Sequence, residues 1–218
     1  MSKAPNVVIG IASLQSCDIN FAVSLAGMCA MNVVHRIGFS LYPIVNHTIP
    51  NAHNKMVRHA EEIGATHLML VETDNTFPHD ALKRLLERDK AIVGATYLTK
   101  SPPHTYMGRE IDNTPLDVTR GVCRKVGMMP VGCMLIRMDV FAKLRKPGEP
   151  MWYTPWIPDL ENFATDDYPF FERARAAGFD VYCDMELTRQ VGHMSSSQVL
   201  AADHARSVNV GEDGKVIG

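Results

Sequence analysis

Glu72, Thr73 and Asp74 set two carboxylates one residue apart at the end of the apolar run HLMLV. Adjacent carboxylates repel, and a chain keeps them together where they share a proton or a cation; a hard divalent ion favours such oxygen ligands. The competing role is structural, with Asp74 or Thr76 capping the helix expected after Pro78. A second acidic pair, Asp166 and Asp167, follows Thr165 at the head of DDYPFFERARAAG. Either the pair favours a helix amino terminus, or one carboxylate faces a cleft as a general base. A third candidate is His193 in TRQVGHM, one of nine histidines. A lone histidine is more often a hydrogen-bonded packing residue than a ligand, so its meaning depends on its neighbours.

The elements that must position these groups follow from periodicity. Residues 6–12, NVVIGIA, read as a strand, and DINFAVSLAGMCAMN as a helix capped by Asp18. The pattern returns as FSLYPIV at 39–45, then as a helix in which Met56, Val57, Ala60 and Ile63 share a face and Gly64 ends the run. THLMLV is apolar throughout, as central parallel strands are, so Glu72 and Asp74 fall at its carboxyl end, where open α/β sheets bind ligands. A helix carrying Leu82, Leu85 and Leu86, a strand at 91–97, the strand VGCMLIR, the helix MDVFAKL, a helix ended by Gly178 and the strand FDVYCDM complete the series. This alternation predicts an α/β chain with a largely parallel sheet. Two long polar loops interrupt it, and the second holds Trp152 and Trp156, whose rings suit either stacking on a sugar or base or anchoring a lid. The tail predicts a small hairpin around 211–214.

Composition narrows the function further. At 218 residues and 46% hydrophobic, the chain can bury one sizeable core. Five cysteines without CxxC spacing argue against a disulfide framework and a structural zinc site. No membrane-length apolar run or secretory leader is present, so a cytoplasmic protein is expected. Net charge is -2, yet residues 120–146 gather Arg120, Arg124, Lys125, Arg137, Lys143, Arg145 and Lys146 against Asp139 alone. That segment reads as a solvated face or as a phosphate-contacting one.

Taken in order, ETD at 72–74 with the following Phe77 and Pro78, VGCMLIRMDVF, TDDYPFFERARAAGF and VGHM resemble the small, bacteriophage-type glycosyltransferases of the GT-A fold. The likeness covers most of residues 6–194. ETD looks like the family's DxD motif with glutamate first, TDDYPFF like its xED motif with aspartate for glutamate, and VGHM like its carboxy-terminal metal-binding histidine. NAHN departs from it, since relatives often carry arginine before the asparagine found here as Asn54.

The resemblance implies a single GT-A, Rossmann-like domain over 1–218, with a core at 6–194, a tail at 195–218, a mostly parallel sheet and helices on both faces. It implies transfer of a sugar from a nucleoside diphosphate sugar, UDP-linked first of all, to an acceptor hydroxyl. Glu72, Asp74 and His193 would hold Mn²⁺ or Mg²⁺, with the histidine favouring manganese. Asp167, or Asp166 in its place, would be the base of an inverting reaction. Ala12, Ser13, Leu14, Asn54, Glu72, Thr73, Asp74 and Gly132 would line the donor, and Trp152 and Trp156 the acceptor. Hydroxymethylated pyrimidine in double-stranded DNA is the leading acceptor, and no oligomeric state is assigned. The rivals are a nucleotidyltransferase of related architecture and a module that binds nucleotide sugar or DNA without turnover.

Overall fold

The computed structural model describes residues 4–158, 161–163, 165–195 and 198–199. The first half alternates as its periodicity predicts: β1 (Asn6–Ser13), α1 (Ile19–Val34), β2 (Gly38–Val45), α2 (Ile49–Glu62) and β3 (His67–Glu72). Asp18 caps α1 by accepting from the Asn20 amide, and Gly64, at φ +65°, ends α2 in a left-handed turn. Next come β4 (Asn75–Thr76), α3 (Ala81–Glu87), β5 (Ile92–Gly94), β6 (Cys123–Val126), β7 (Cys133–Arg137) and α4 (Met138–Leu144). The chain continues through β8 (Trp156–Ile157), β9 (Asn162–Phe163), α5 (Asp167–Ala176), β10 (Val181–Asp184), α6 (Met185–Thr188), β11 (Gly192–Met194) and β12 (Gln198–Val199).

The central sheet has seven strands in the order β2-β1-β3-β7-β5-β10-β6. Five of them run in one direction, and β7 and β6 run against them. Period-two alternation sends Val8, Leu68, Leu70 and Ile136 to one face, against Met56 and Val57 of α2, Phe141 of α4 and Phe170 of α5. Val7, Ile9, Met69, Val71 and Leu135 face the other way, against Phe21 and Met28 of α1 and Leu82 and Leu85 of α3. Helices therefore cover both faces of a mostly parallel sheet, and the protein is of the α/β class. Each aliphatic side chain buried between these layers stabilises the fold by about 1.5–3 kcal/mol.

Three departures from the sequence reading bear on the site. β7 enters the sheet antiparallel between β3 and β5, so its leading Gly132 and Cys133 stand at the carboxyl ends of those strands. α3 starts at Ala81, not just after Pro78, and neither Asp74 nor Thr76 caps it; its N-cap is Asp80, without a side-chain cap bond. Residues 75–76 instead form β4, which pairs with β11 in a small separate sheet, Asn75 opposite His193. α5 opens at Asp167 behind Asp166, whose side chain makes no cap bond. The hairpin expected in the tail lies outside the described residues. No helix among the described residues is long and apolar enough to cross a membrane.

Candidate active site

β3 ends on Glu72 against the turn that leads into β7, and the Glu72 amide donates to the Gly132 carbonyl at 3.2 Å. The Tyr97 hydroxyl donates to Glu72 Oε2 at 2.9 Å. Gly132 makes this approach possible: a Cβ there would collide with Asn75 Oδ1 and come within 2.6 Å of the Tyr97 hydroxyl and 2.8 Å of Glu72 Oε2. Burial, and then the charge of Asp74, raises the Glu72 pKa, while Tyr97 pulls it back.

Asp74 lies on the solvent side of this pair. Its Oδ2 is 2.5 Å from Lys100 Nζ and 3.6 Å from His193 Nε2. Burial alone raises its pKa, but His193 and Lys100 hold the carboxyl down at about 2. His193 arrives by backbone pairing of β11 with β4, reinforced by the Met194 amide donating to the Asp74 carbonyl at 2.6 Å. Its Nδ1 is 2.7 Å from the Leu98 carbonyl, so Nδ1–H donates there and Nε2 is the ring nitrogen that faces Asp74. Metal-bound histidines are oriented by a carbonyl in this way. Among the described residues no group of three His, Cys, Asp or Glu side chains converges on one point. The expected three-ligand set thus reduces to Asp74 and His193, with Glu72 engaged by Tyr97. Two protein ligands completed by phosphate oxygens still suit Mg²⁺ or Mn²⁺, which are commonly held by one or two side chains together with a substrate.

On the buried side lie Asp167, Asp166 and His53. Asp167 Oδ1 and Asp166 Oδ2 are buried atoms without a hydrogen-bond partner. Burial first, then Asp166 and Glu72, raises the Asp167 pKa well above its ordinary value. Asp166 Oδ2 is 3.4 Å from Nδ1 of His53, a ring that packs edge-on to Trp152 at 4.9 Å. A buried carboxyl whose pKa is raised in this way is, once ionised, a stronger base than an exposed one.

Two adjoining cavities open along the strand ends. One, of about 490 Å³, is lined by Cys17, Asp18, Asp74, Lys100 and Met194, the other, of about 500 Å³, by Leu14, Gln15 and Asn46, and Ser16 and Thr73 line both. Leu14, Thr73 and Asp74 of the expected donor set therefore border open space. Ser13 closes its own turn by donating to the Ser16 carbonyl, and Ala12, 4% exposed, packs in the core. Asn54 is fully engaged elsewhere. Its Oδ1 accepts the Met151 and Trp152 amides, and its Nδ2 donates to the Pro50 and Trp152 carbonyls. Trp152 is 1% exposed and stacked on Phe170 at 4.0 Å, so it anchors its loop and has no free face for an acceptor. Trp156, on β8, is half exposed.

Tyr97 and Lys100 carry no role in the sequence reading, and both stand at the site; His53, where the departure in NAHN puts a donor contact in doubt, faces Asp166. A tyrosine ending an apolar strand, level with the acidic motif, was the one available signal. The basic segment 120–146 is scattered over several elements, and six of its seven cations are ion-paired: Arg120 with Asp117, Arg124 with Glu110, Lys125 with Asp180, Arg137 with Asp139, Arg145 with Glu61 and Lys146 with Glu149.

No protein-family model and no curated protein sequence matches the chain. Solved structures do. A197 from STIV is 12% identical with a TM-score of 0.56, the match covering 87% of this chain and 86% of that one. A Drosophila β1,4-galactosyltransferase 7 in complex with manganese, UDP-Gal and xylobiose is 12% identical over 87% of this chain and 71% of its own, with a TM-score of 0.48. A UDP-glucose pyrophosphorylase complexed with UDP-glucose is 12% identical over 82% and 72%, with a TM-score of 0.40. The α/β architecture is shared with A197 from STIV, and at 12% identity the likeness is one of fold.

Proposed function

We propose that this chain transfers a glycosyl group from a nucleoside diphosphate sugar, a UDP-sugar in the first instance, to an acceptor hydroxyl. The observation that carries the reading is the cluster of buried carboxyls formed by Glu72, Asp167 and Asp166, in which Asp167 Oδ1 has no hydrogen-bond partner among the described residues, next to the Thr73–Asp74 turn that borders the two cavities. The nucleoside would lie by Leu14, Ser16 and Asn46, and the diphosphate by Thr73, Asp74 and Lys100. As the bond from anomeric carbon to phosphate oxygen breaks, negative charge grows on the leaving group, and the Lys100 ammonium beside Asp74 is a cation in reach of it. A divalent ion, when bound by Asp74 and His193, supplies further electrophilic stabilisation of the diphosphate. Asp167 takes the proton of the acceptor hydroxyl as that oxygen attacks the face opposite the leaving group, giving inversion. Burial, and then the adjacent Asp166 braced against His53, raises the Asp167 pKa.

Hydroxymethylated pyrimidine in duplex DNA is the first acceptor to test. Its support rests on the sequence resemblance, because six of the seven cations of 120–146 are ion-paired. The deciding experiment incubates the full chain with MnCl₂, a panel of nucleotide sugars and candidate acceptors including hydroxymethylcytosine DNA. Release of nucleoside diphosphate with a one-sugar mass gain on the acceptor supports transfer. Pyrophosphate release assigns the site to nucleotidyl transfer, and donor binding without any release reduces the chain to a binding module.

A further inference from the structure

α1 buries one face, through Phe21, Ser24, Met28 and Asn32, and contains no charged residue in its sixteen positions. The opposite face is apolar as well. At 100° per residue, Ile19, Val23, Ala26, Ala30, Val33 and Val34 fall within a stripe about 100° wide and about 22 Å long. All six are exposed, Ile19 at 73%, Val23 at 59%, Val33 at 69% and Val34 at 72%. A helix apolar all round is normally covered, and a contiguous exposed patch of this kind marks an interaction surface.

The arrangement along the stripe points to its occupant. Large side chains stand at both ends and alanines in the middle, so a two-fold axis at Ala26 would lay Ile19 of one copy over Val33 of the second and bring the helices close where the side chains are smallest. The charges flanking the stripe match the same operation. Asp18 precedes α1 and Arg36 follows it, and neither enters an ion pair among the described residues. Antiparallel docking brings each Asp18 within about one helical turn of the second copy's Arg36, at both ends of the contact. It also opposes the two helix dipoles. A membrane surface fits less well, since interfacial helices carry Lys and Arg along a polar face and α1 has none.

We propose that this chain forms a two-fold homodimer through antiparallel packing of α1 against α1 of a second copy. The test is the mass of the full-length protein by light scattering from about 1 to 100 µM, with Val33→Glu, Ala26→Cys and Val34→Cys variants. The expected results are twice the chain mass for the wild type and one chain mass for Val33→Glu, with circular dichroism and melting of the dilute protein unchanged. Copper-phenanthroline oxidation should link Ala26→Cys into a covalent dimer beyond the wild-type background. It should not link Val34→Cys to itself, because antiparallel packing sets those positions about 24 Å apart. A wild type that stays at one chain mass at 100 µM overturns the proposal, as does a Val33→Glu that still dimerises. With both variants made in a Cys17→Ser background, since antiparallel packing sets position 34 beside the exposed Cys17 of the second copy, cross-linking through position 34 and not 26 overturns the antiparallel geometry. Flotation with anionic vesicles that Val33→Glu abolishes, in a chain that is otherwise monomeric, assigns the face to membrane and overturns it too.

Discussion

Asp167 is held in a form that suits proton transfer and strains the fold. Its folded pKa lies above the ordinary 3.8, so the folded chain binds that proton more tightly than the unfolded chain does. The penalty is therefore absent below the unfolded pKa, grows as pH rises from there and is complete above the folded pKa. Asp167→Asn should raise the melting temperature at pH 8, leave it unchanged below about pH 3.5, and lower glycosyl transfer by about 10²–10⁴-fold with donor affinity kept. Melting curves across pH and assays of released nucleoside diphosphate test both halves. Gly132→Ala should cost about 1–3 kcal/mol in denaturant unfolding and reduce turnover, because the new methyl group displaces Tyr97 or Glu72. Glu72, Asp74, Asp167 and His193 were singled out as candidates in the sequence because titratable side chains at strand and helix ends have few inexpensive alternatives to a site, and the structure sets Asp74 beside His193 and Glu72 close enough to Asp167 to raise its pKa. Tyr97 and Lys100 were not, because only the folded path of the chain after β5 brings them to Asp74 and Glu72.

Asn54 on α2 clamps the backbone at 151–152 through three hydrogen bonds, which separates its role from the donor contact suggested by NAHN. Asn54→Ala should lower stability by about 1–3 kcal/mol and mobilise the Trp152 loop in hydrogen exchange, with UDP affinity within a factor of two of wild type. A tenfold loss of UDP affinity in a variant of unchanged stability would return Asn54 to the donor site. Arg88, after α3, ties that helix to the sheet by pairing with the fully buried Asp184 at 2.8 Å and with Glu186 at 2.9 Å. Arg88→Ala leaves a buried carboxylate without its cation and should cost about 3 kcal/mol, read as a shifted urea midpoint. The elements from β1 to β3 were readable because each strand is followed directly by the helix that covers it. The direction of β7 was not, since an apolar run buried on both faces looks the same either way round. β6 was hidden because CRKV, on the edge of the sheet, reads as part of a charge run.

Charge across the molecule sets its behaviour toward polyanions. With six cations of the 120–146 segment neutralised by local acids, few are free to displace counterions. Binding to unmodified duplex DNA should be weak, and the slope of log K against log salt should be shallower than about −2 by fluorescence anisotropy. A slope of −5 or steeper would show a phosphate-tracking face that the ion pairs do not account for. The class of the fold could be read from alternation along the chain, whereas the pairing of β4 with β11 could not, because it joins two-residue and three-residue segments more than a hundred positions apart. That pairing also fixes when the protein becomes competent. Asp74 precedes His193 by more than a hundred residues, and the large sheet is complete without β11, so a chain cut at residue 190 can be compact and yet lack one of the two side chains to which the proposed function gives the cation. On that reading, competence to handle a charged donor follows closure of the framework and does not accompany it.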